Sequence, residues 1–230
     1  MLNGSLISSS WHKDLLQLLT SFRLTLPDLE PLPVQAVLVE ELLLLNLYMS
    51  FEELQIFAGK DGIDDARRVY PILRQWYDRQ DSRQAVVHAG QVIRAARAMP
   101  LDHLRDFYAI AVYHAGLTFW AYSILSARRD PAKPLTGDIV ILDGGNSAEK
   151  FVQVGRGIPA ICRNGDEQGG QSGQPGSSVP LGDLKTVMEI ITGILHANCG
   201  NQLPVPPIVE NLSRLMRELG NAVGKLKVRP

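Results

Sequence analysis

The chain has 230 residues, of which 45% are hydrophobic and 20% are charged, and its formal net charge is -1. This composition is typical of globular proteins and excludes a wholly disordered chain. The near-neutral charge disfavours direct nucleic-acid binding, because a surface that grips phosphates carries a clear basic excess. The two cysteines, Cys162 and Cys199, do not have the spacing of zinc ligands. The sequence therefore predicts reduced thiols in an intracellular protein and no cofactor.

Residues 1–33 predict a short helix followed by a proline-rich link. The helix is capped at Ser10 and carries apolar residues at helical spacing from Trp11 to Phe22. Three prolines then break the chain: Pro27, Pro31 and Pro33. The basic and apolar regions of a secretory signal are absent from this N-terminal sequence.

Residues 34–130 predict the core helices. The first, Val34 to Met49, is nearly continuous in valine and leucine, so it must be buried on most sides. Ser50 and Glu53 have capping-box spacing, and they predict a short helix that ends before Gly59.

Two further helices are predicted before Pro100. The first covers Asp61 to Asp78 and is expected to break or kink at Pro71. The second is amphipathic and is expected to be capped at Asp81 or Ser82.

The next predicted helix runs from about Leu101 to Ala127. It contains the longest uncharged run, Phe107 to Leu125, whose length just reaches the roughly 18 residues of a membrane span. Its tyrosines, threonine, histidine and serine would be costly in lipid, so a buried core helix is favoured and no membrane association is expected. We expect this helix to pack with the preceding one as an antiparallel pair.

Residues 131–180 are predicted to be irregular and flexible. Asp138 to Asp143, followed by two glycines, predicts one short strand and a turn, but an isolated strand builds no sheet. Asn146 and Glu149 indicate a cap and a short helix after it. Arg163 to Ser178 is rich in Gly, Gln and Ser, which is typical of a disordered loop.

Residues 181–224 predict a pair of C-terminal helices. The first stops near Gly200, and the second begins after Pro206 and Pro207. The predicted fold is thus all-α, an irregular multi-helix bundle that forms a single domain over residues 1–230.

Residues with the potential for chemistry are few. The sequence lacks a nucleophile elbow, a phosphate loop ending in Gly-Lys-Ser/Thr and a dinucleotide-binding glycine motif, so no catalytic residue or metal ligand is predicted and a non-enzyme is favoured. His88 and His114 lie in the two long hydrophobic helices, where each is usually a satisfied core histidine. The candidate ligand-binding residues are therefore limited to four: His88, Gln91, His114 and Trp120.

Several ordered blocks resemble fungal-specific transcription factors, in which a helical regulatory region follows a zinc-based DNA-binding module. They are Phe57 to Pro71, His88 to Arg97, Phe107 to Tyr122 and Pro206 to Gly220. The resemblance covers roughly residues 34–224 and matches the C-terminal part of that regulatory (middle homology) region. The zinc cluster and the zinc fingers of the family do not occur in this sequence, so DNA binding is not implied.

The resemblance implies a nuclear regulator that acts through protein contacts. The expected partners are a twin subunit, a related transcription factor or the transcription machinery, and a small-molecule effector is an alternative. We expect an exposed apolar face near Val34 to Met49, where such a partner or a missing N-terminal half would bind. A helical enzyme or ligand-binding protein with a pocket near His88 and His114 is the rival hypothesis, and a non-functional or truncated gene fragment is a third.

Overall fold

The computed structural model describes residues 3–25, 32–127, 137–144, 148–163, 178–200 and 204–226. Within these residues the chain forms nine helices and three short strands, which confirms the prediction of a mostly helical fold. The helices are α1 (Asn3–Thr25), α2 (Val34–Tyr48), α3 (Phe51–Phe57), α4 (Ile63–Asp78), α5 (Gln80–Arg97), α6 (Phe107–Ala127), α7 (Glu149–Val154), α8 (Leu184–Asn198) and α9 (Pro207–Leu226). The strands are β1 (Ile139–Ile141), β2 (Ile158–Cys162) and β3 (Ser178–Pro180).

Helix α6 lies at the centre of the hydrophobic core. Every residue from Ala115 to Leu125 is buried, and the helix packs against α5, α9, α8 and α4. Helix α5 packs on α6 and also on α2, so α5 lies between them. The prediction that the long uncharged run is a buried core helix is confirmed.

Some predicted helix ends are confirmed through their capping residues. The Ser50 hydroxyl accepts a hydrogen bond from the backbone N of Glu53 at 3.4 Å, as the capping box predicts. Gly59 follows the end of α3 with a φ of 100°, a left-handed conformation that favours glycine. Helix α9 begins at Pro207, because proline has no amide hydrogen to leave unpaired in a first turn.

The two predicted caps at Ser10 and at Asp81 or Ser82 are wrong. Helix α1 begins at Asn3, so Ser10 lies inside it. Helix α5 begins one residue before Asp81, and no side chain caps it. The Ser82 hydroxyl instead donates to the backbone oxygen of Tyr77 at 2.8 Å, because α4 ends immediately before α5 and leaves its last carbonyls within reach.

The start of α6 differs from prediction, and Pro71 does not break α4. Helix α6 begins at Phe107 and not at Leu101, since Asp102 and Asp106 have positive φ angles that interrupt a right-handed helix. Pro71 lies within α4, which continues through it to Asp78.

The three strands form one small sheet in the order β1-β2-β3. β1 pairs with β2 in parallel, with Ile139 opposite Ile158, and β2 pairs with β3 antiparallel, with Cys162 opposite Ser178. The expectation of a single isolated strand is therefore wrong. The predicted cap Asn146 and most of the predicted glycine-rich loop lie outside the described residues.

The sheet is fixed to α5 by a close approach at Gly90. A Cβ atom on this residue would lie 2.4 Å from the backbone oxygen of Leu142, which directly follows β1. Only glycine allows the helix and the strand to approach so closely, and this contact places the sheet beside the helical core.

Candidate interaction surface and the predicted polar residues

His88 belongs to a cluster of charged side chains between α1, α2 and α5. Its Nδ1 lies 2.7 Å from Oε2 of Glu41, and its ring stacks on Tyr48 with 5.5 Å between the ring centroids. The Arg23 side chain of α1 donates to Glu40 at 2.9 Å and also to Glu41. Both glutamates are buried, so Arg23 and His88 satisfy carboxylates that would otherwise lie unpaired in the interior.

This pairing keeps Glu41 ionised. Burial by itself raises the pKa of the Glu41 carboxyl, but the hydrogen bonds and charges of His88 and Arg23 outweigh it and hold the pKa below its ordinary value. Because the carboxylate can only accept, the His88 Nδ1 donates to it. His88 therefore holds helices together and is already occupied by a partner.

Gln91 also makes contacts that hold the fold together. Its Nε2 donates to the backbone oxygens of Leu142, at 2.7 Å, and Gly144, at 3.1 Å, both in the turn after β1. Two turns further along α5, Arg97 forms an ion pair with the buried Asp143 and donates to the backbone oxygen of Cys162 at 2.6 Å.

Asp143 completes this network from the other side. Its Oδ1 accepts from the backbone N of Cys162 at 2.9 Å, so β1 and β2 are joined through one carboxylate. Gln91 and Arg97 thus fasten the sheet to α5, and sequence reasoning missed the roles of Arg97 and Asp143 because these residues are 46 positions apart.

His114 and Trp120 face helix α3. The His114 ring stacks on Phe51 with centroids 4.0 Å apart, and the Trp120 ring lies 5.2 Å from that of Phe57. Burial lowers the pKa of His114 from 6.5 to about 4, so its imidazole is neutral at pH 7. Among the described residues, no hydrogen-bond partner reaches the His114 Nδ1 or the Trp120 Nε1.

The four predicted ligand-binding residues therefore have separate surroundings. His88 contacts α2, Gln91 contacts the turn after β1, and His114 and Trp120 pack on α3. A cleft of about 680 Å³ lies elsewhere, between the end of α5 and α8, and none of the four lines it. The structure thus engages each of these side chains in contacts with other parts of the fold.

An exposed apolar surface lies on α1. It consists of Trp11, Leu15, Leu18 and Phe22, hereafter the α1 stripe, with exposed fractions of 65%, 47%, 67% and 47%. The intervals of four, three and four residues place these side chains on one face of the helix. The spacing in the sequence predicts a helix here, but by itself it does not indicate whether this face is covered or exposed.

The prediction of an exposed apolar face on Val34 to Met49 is wrong for most of that segment. Leu38, Leu42 and Leu45 are buried, because α1 and α5 cover α2 within the chain. Leu43 is the exception and is 48% exposed.

A neighbouring face of α1 fixes the helix to the rest of the chain. The His12 ring lies 6.3 Å from that of Tyr48 near the end of α2, and Arg23 reaches Glu40 near its middle. These two contacts make α1 antiparallel to α2. His12 and Arg23 lie roughly a quarter turn around the helix from the α1 stripe, so the stripe flanks the contact with α2 and stays exposed.

The described residues contain neither a metal-binding cluster nor a single membrane-spanning helix. They contain no group of three or more His, Cys, Asp or Glu side chains that could hold a metal ion. None of their helices is by itself long and apolar enough to cross a membrane, although α2 and α3, bent by 72°, meet the length and composition requirements when taken together.

Comparison with known proteins gives one relation. The chain is similar to transcription factor PfmaH of Pestalotiopsis fici, with 33% identity over 87 residues. This stretch is 38% of the present chain and covers 9% of that protein. No protein-family model and no solved structure matches the chain. The comparison relates the chain to a fungal transcription factor and supports that part of the resemblance seen in its sequence.

Proposed function

We propose that this chain is a helical regulatory module of a fungal transcription factor, and that it acts in the nucleus by binding protein through the α1 stripe. The relation to transcription rests on the similarity to PfmaH. The manner of action rests on the stripe, because four large apolar side chains on one exposed helix face mark a protein-contact surface.

The polar side chains support the same proposal. His88 and Gln91 are engaged in contacts between helices and with the sheet, and His114 stacks within the bundle. Side chains used in this way stabilise a scaffold, and a rigid scaffold presents a binding surface in one orientation. The similarity to a transcription factor likewise favours a regulator over an enzyme.

A transcriptional reporter tests this proposal. The chain is fused to a heterologous DNA-binding domain in a fungal host that carries the matching reporter gene. We expect the fusion to change reporter output several-fold, upward or downward, relative to the DNA-binding domain alone. Output equal to that of the DNA-binding domain alone, from a fusion present at the same level in the nucleus, would contradict the proposal.

A second fusion controls for effects of any attached polypeptide. Gly90→Phe places a large aromatic ring against the Leu142 backbone and is expected to unfold the module. Its output should return to that of the DNA-binding domain alone. An unfolded Gly90→Phe fusion that retained the full effect would show that the folded module is not responsible.

A further inference from the structure

We propose that the α1 stripe binds the α1 stripe of a second copy of this chain, as an antiparallel helix pair. This inference rests on the proposed function, since it names the partner of the same surface. It is carried by the spacing of the stripe, by the way its side chains match one another and by the area they expose.

The spacing of the stripe is that of a helix-pairing seam. Trp11, Leu15, Leu18 and Phe22 occupy successive d, a, d and a positions of two heptads. Such a seam is covered by another helix with the same spacing, whose side chains fit between its own. A second copy of α1 has the same sequence and therefore the same spacing.

An antiparallel arrangement matches side chains of similar size. With the two-fold axis midway between Leu15 and Leu18, these two leucines pair at the centre. Trp11 of each copy then lies level with Phe22 of the other, so that aromatic layers close both ends. The arrangement is isologous and closed, which limits the assembly to a dimer.

Electrostatics favours the same orientation. Opposed helix dipoles attract, whereas parallel dipoles repel.

The exposed area suits a weak and reversible dimer. From ordinary side-chain areas, the exposed fractions correspond to roughly 500 Å² per copy. Two copies would cover about 1,000 Å² in total, which is close to the lower limit for a specific interface.

The α1 helix is already ordered on the monomer. Arg23 and His12 fix it to α2, so the pairing does not have to order the backbone, and less conformational entropy is lost. Since most of the stability of a protein helix comes from tertiary packing, these contacts make the stripe available for binding.

Sedimentation velocity over a range of protein concentrations tests the proposal. The intact chain should show a mass near 25.3 kDa when dilute and should approach a dimer when concentrated. Leu18→Glu should remain monomeric, because it places a charge at the centre of the pair. Leu101→Glu is the matched control, since Leu101 is 66% exposed, much like Leu18 at 67%, but lies outside α1. It should dimerise as the intact chain does.

Two results would overturn the dimer. One is an intact chain that remains monomeric at every concentration, which would leave the stripe to another protein. The other is a dimer that persists undiminished in Leu18→Glu. Because sedimentation uses only purified protein, either result leaves the reporter measurement intact, and a silent reporter likewise leaves the dimer measurement intact.

Disulfide trapping tests the orientation. An equimolar mixture of Leu15→Cys and Leu18→Cys chains should form mainly the mixed disulfide in the antiparallel pair. Self-linked products of each single variant would instead indicate a parallel pair and overturn this arrangement. The intact chain under the same oxidant gives the baseline from Cys162 and Cys199.

Discussion

The neutral imidazole of His114 makes a defined contribution to the pH dependence of stability. Its pKa is about 4 in the folded chain, against 6.5 when exposed, so between these values the unfolded chain binds a proton that the folded chain does not. The free energy of unfolding must therefore fall as the pH drops from 6.5 toward 4, and this contribution is constant above 6.5. Linkage gives a loss of about 2 kcal/mol between pH 7 and pH 5, an upper figure because the ring is only partly buried.

The variant His114→Phe isolates this contribution. It keeps an aromatic ring against Phe51 but removes the titrating group. Urea unfolding followed by far-ultraviolet circular dichroism at pH 7, 6 and 5 gives the free energy of unfolding for each chain. We expect the natural chain to lose about 2 kcal/mol more than His114→Phe over this interval.

A second histidine variant controls for general effects. His103 is exposed in the turn before α6, so His103→Gln should retain the pH dependence of the natural chain. Glu41 loses its ionised state only at lower pH, since its pKa lies below the ordinary value, and it is present in all three chains. Equal pH dependence in the natural chain and in His114→Phe would refute the burial of a neutral imidazole.

The remaining predictions concern close contacts in the fold. Gly90→Ala should lower the free energy of unfolding by about 3 kcal/mol, because its methyl group would overlap the Leu142 backbone. Gly193→Ala, in the open interior of α8, should instead raise it by about 0.5–1 kcal/mol, and a similar loss in both variants would contradict the close approach. Asn198→Ala should cost about 3 kcal/mol, since its buried amide accepts from the backbone N of Leu104 and donates to two carbonyls before α6. Chemical denaturation measures all three, and an Asn198→Ala loss below about 1 kcal/mol would show that water replaces these bonds.

The helices could be predicted because their signals are local. The uncharged run of α6 indicates burial wherever its neighbours lie. The Ser50 cap requires only Glu53, three residues away. The proline at the start of α9 favours a first helical turn through its own ring, which fixes φ and leaves no amide hydrogen unpaired.

The strands could not be predicted so well, because their partners are distant. β2 contains Pro159. Because proline lacks an amide hydrogen, its presence argues against predicting a strand in this segment. It pairs with residues about twenty positions away on one side and with β3 beyond the undescribed segment on the other. Neither pairing leaves a pattern within β2 itself.

The roles of the candidate site residues also depended on distant contacts. His88 contacts Glu41, which is 47 positions away in the sequence. Gln91 donates to the Leu142 carbonyl, which is 51 positions away. Residue type alone indicated polar groups in an apolar helix, but not that their partners lie within the fold. Hydrophobic content predicted that α2 is buried on most sides, which is confirmed, but it did not indicate that the α1 stripe is exposed.

The central claim is that this module regulates transcription through the α1 stripe, and the most direct test compares two charged variants in the reporter assay. Leu18→Glu and Leu101→Glu place the same charge at equally exposed leucines, on and off the stripe. The account predicts that the Leu18→Glu fusion falls to the output of the DNA-binding domain alone, whereas the Leu101→Glu fusion matches the intact module. Equal outputs from the two fusions, at equal protein levels, would contradict it.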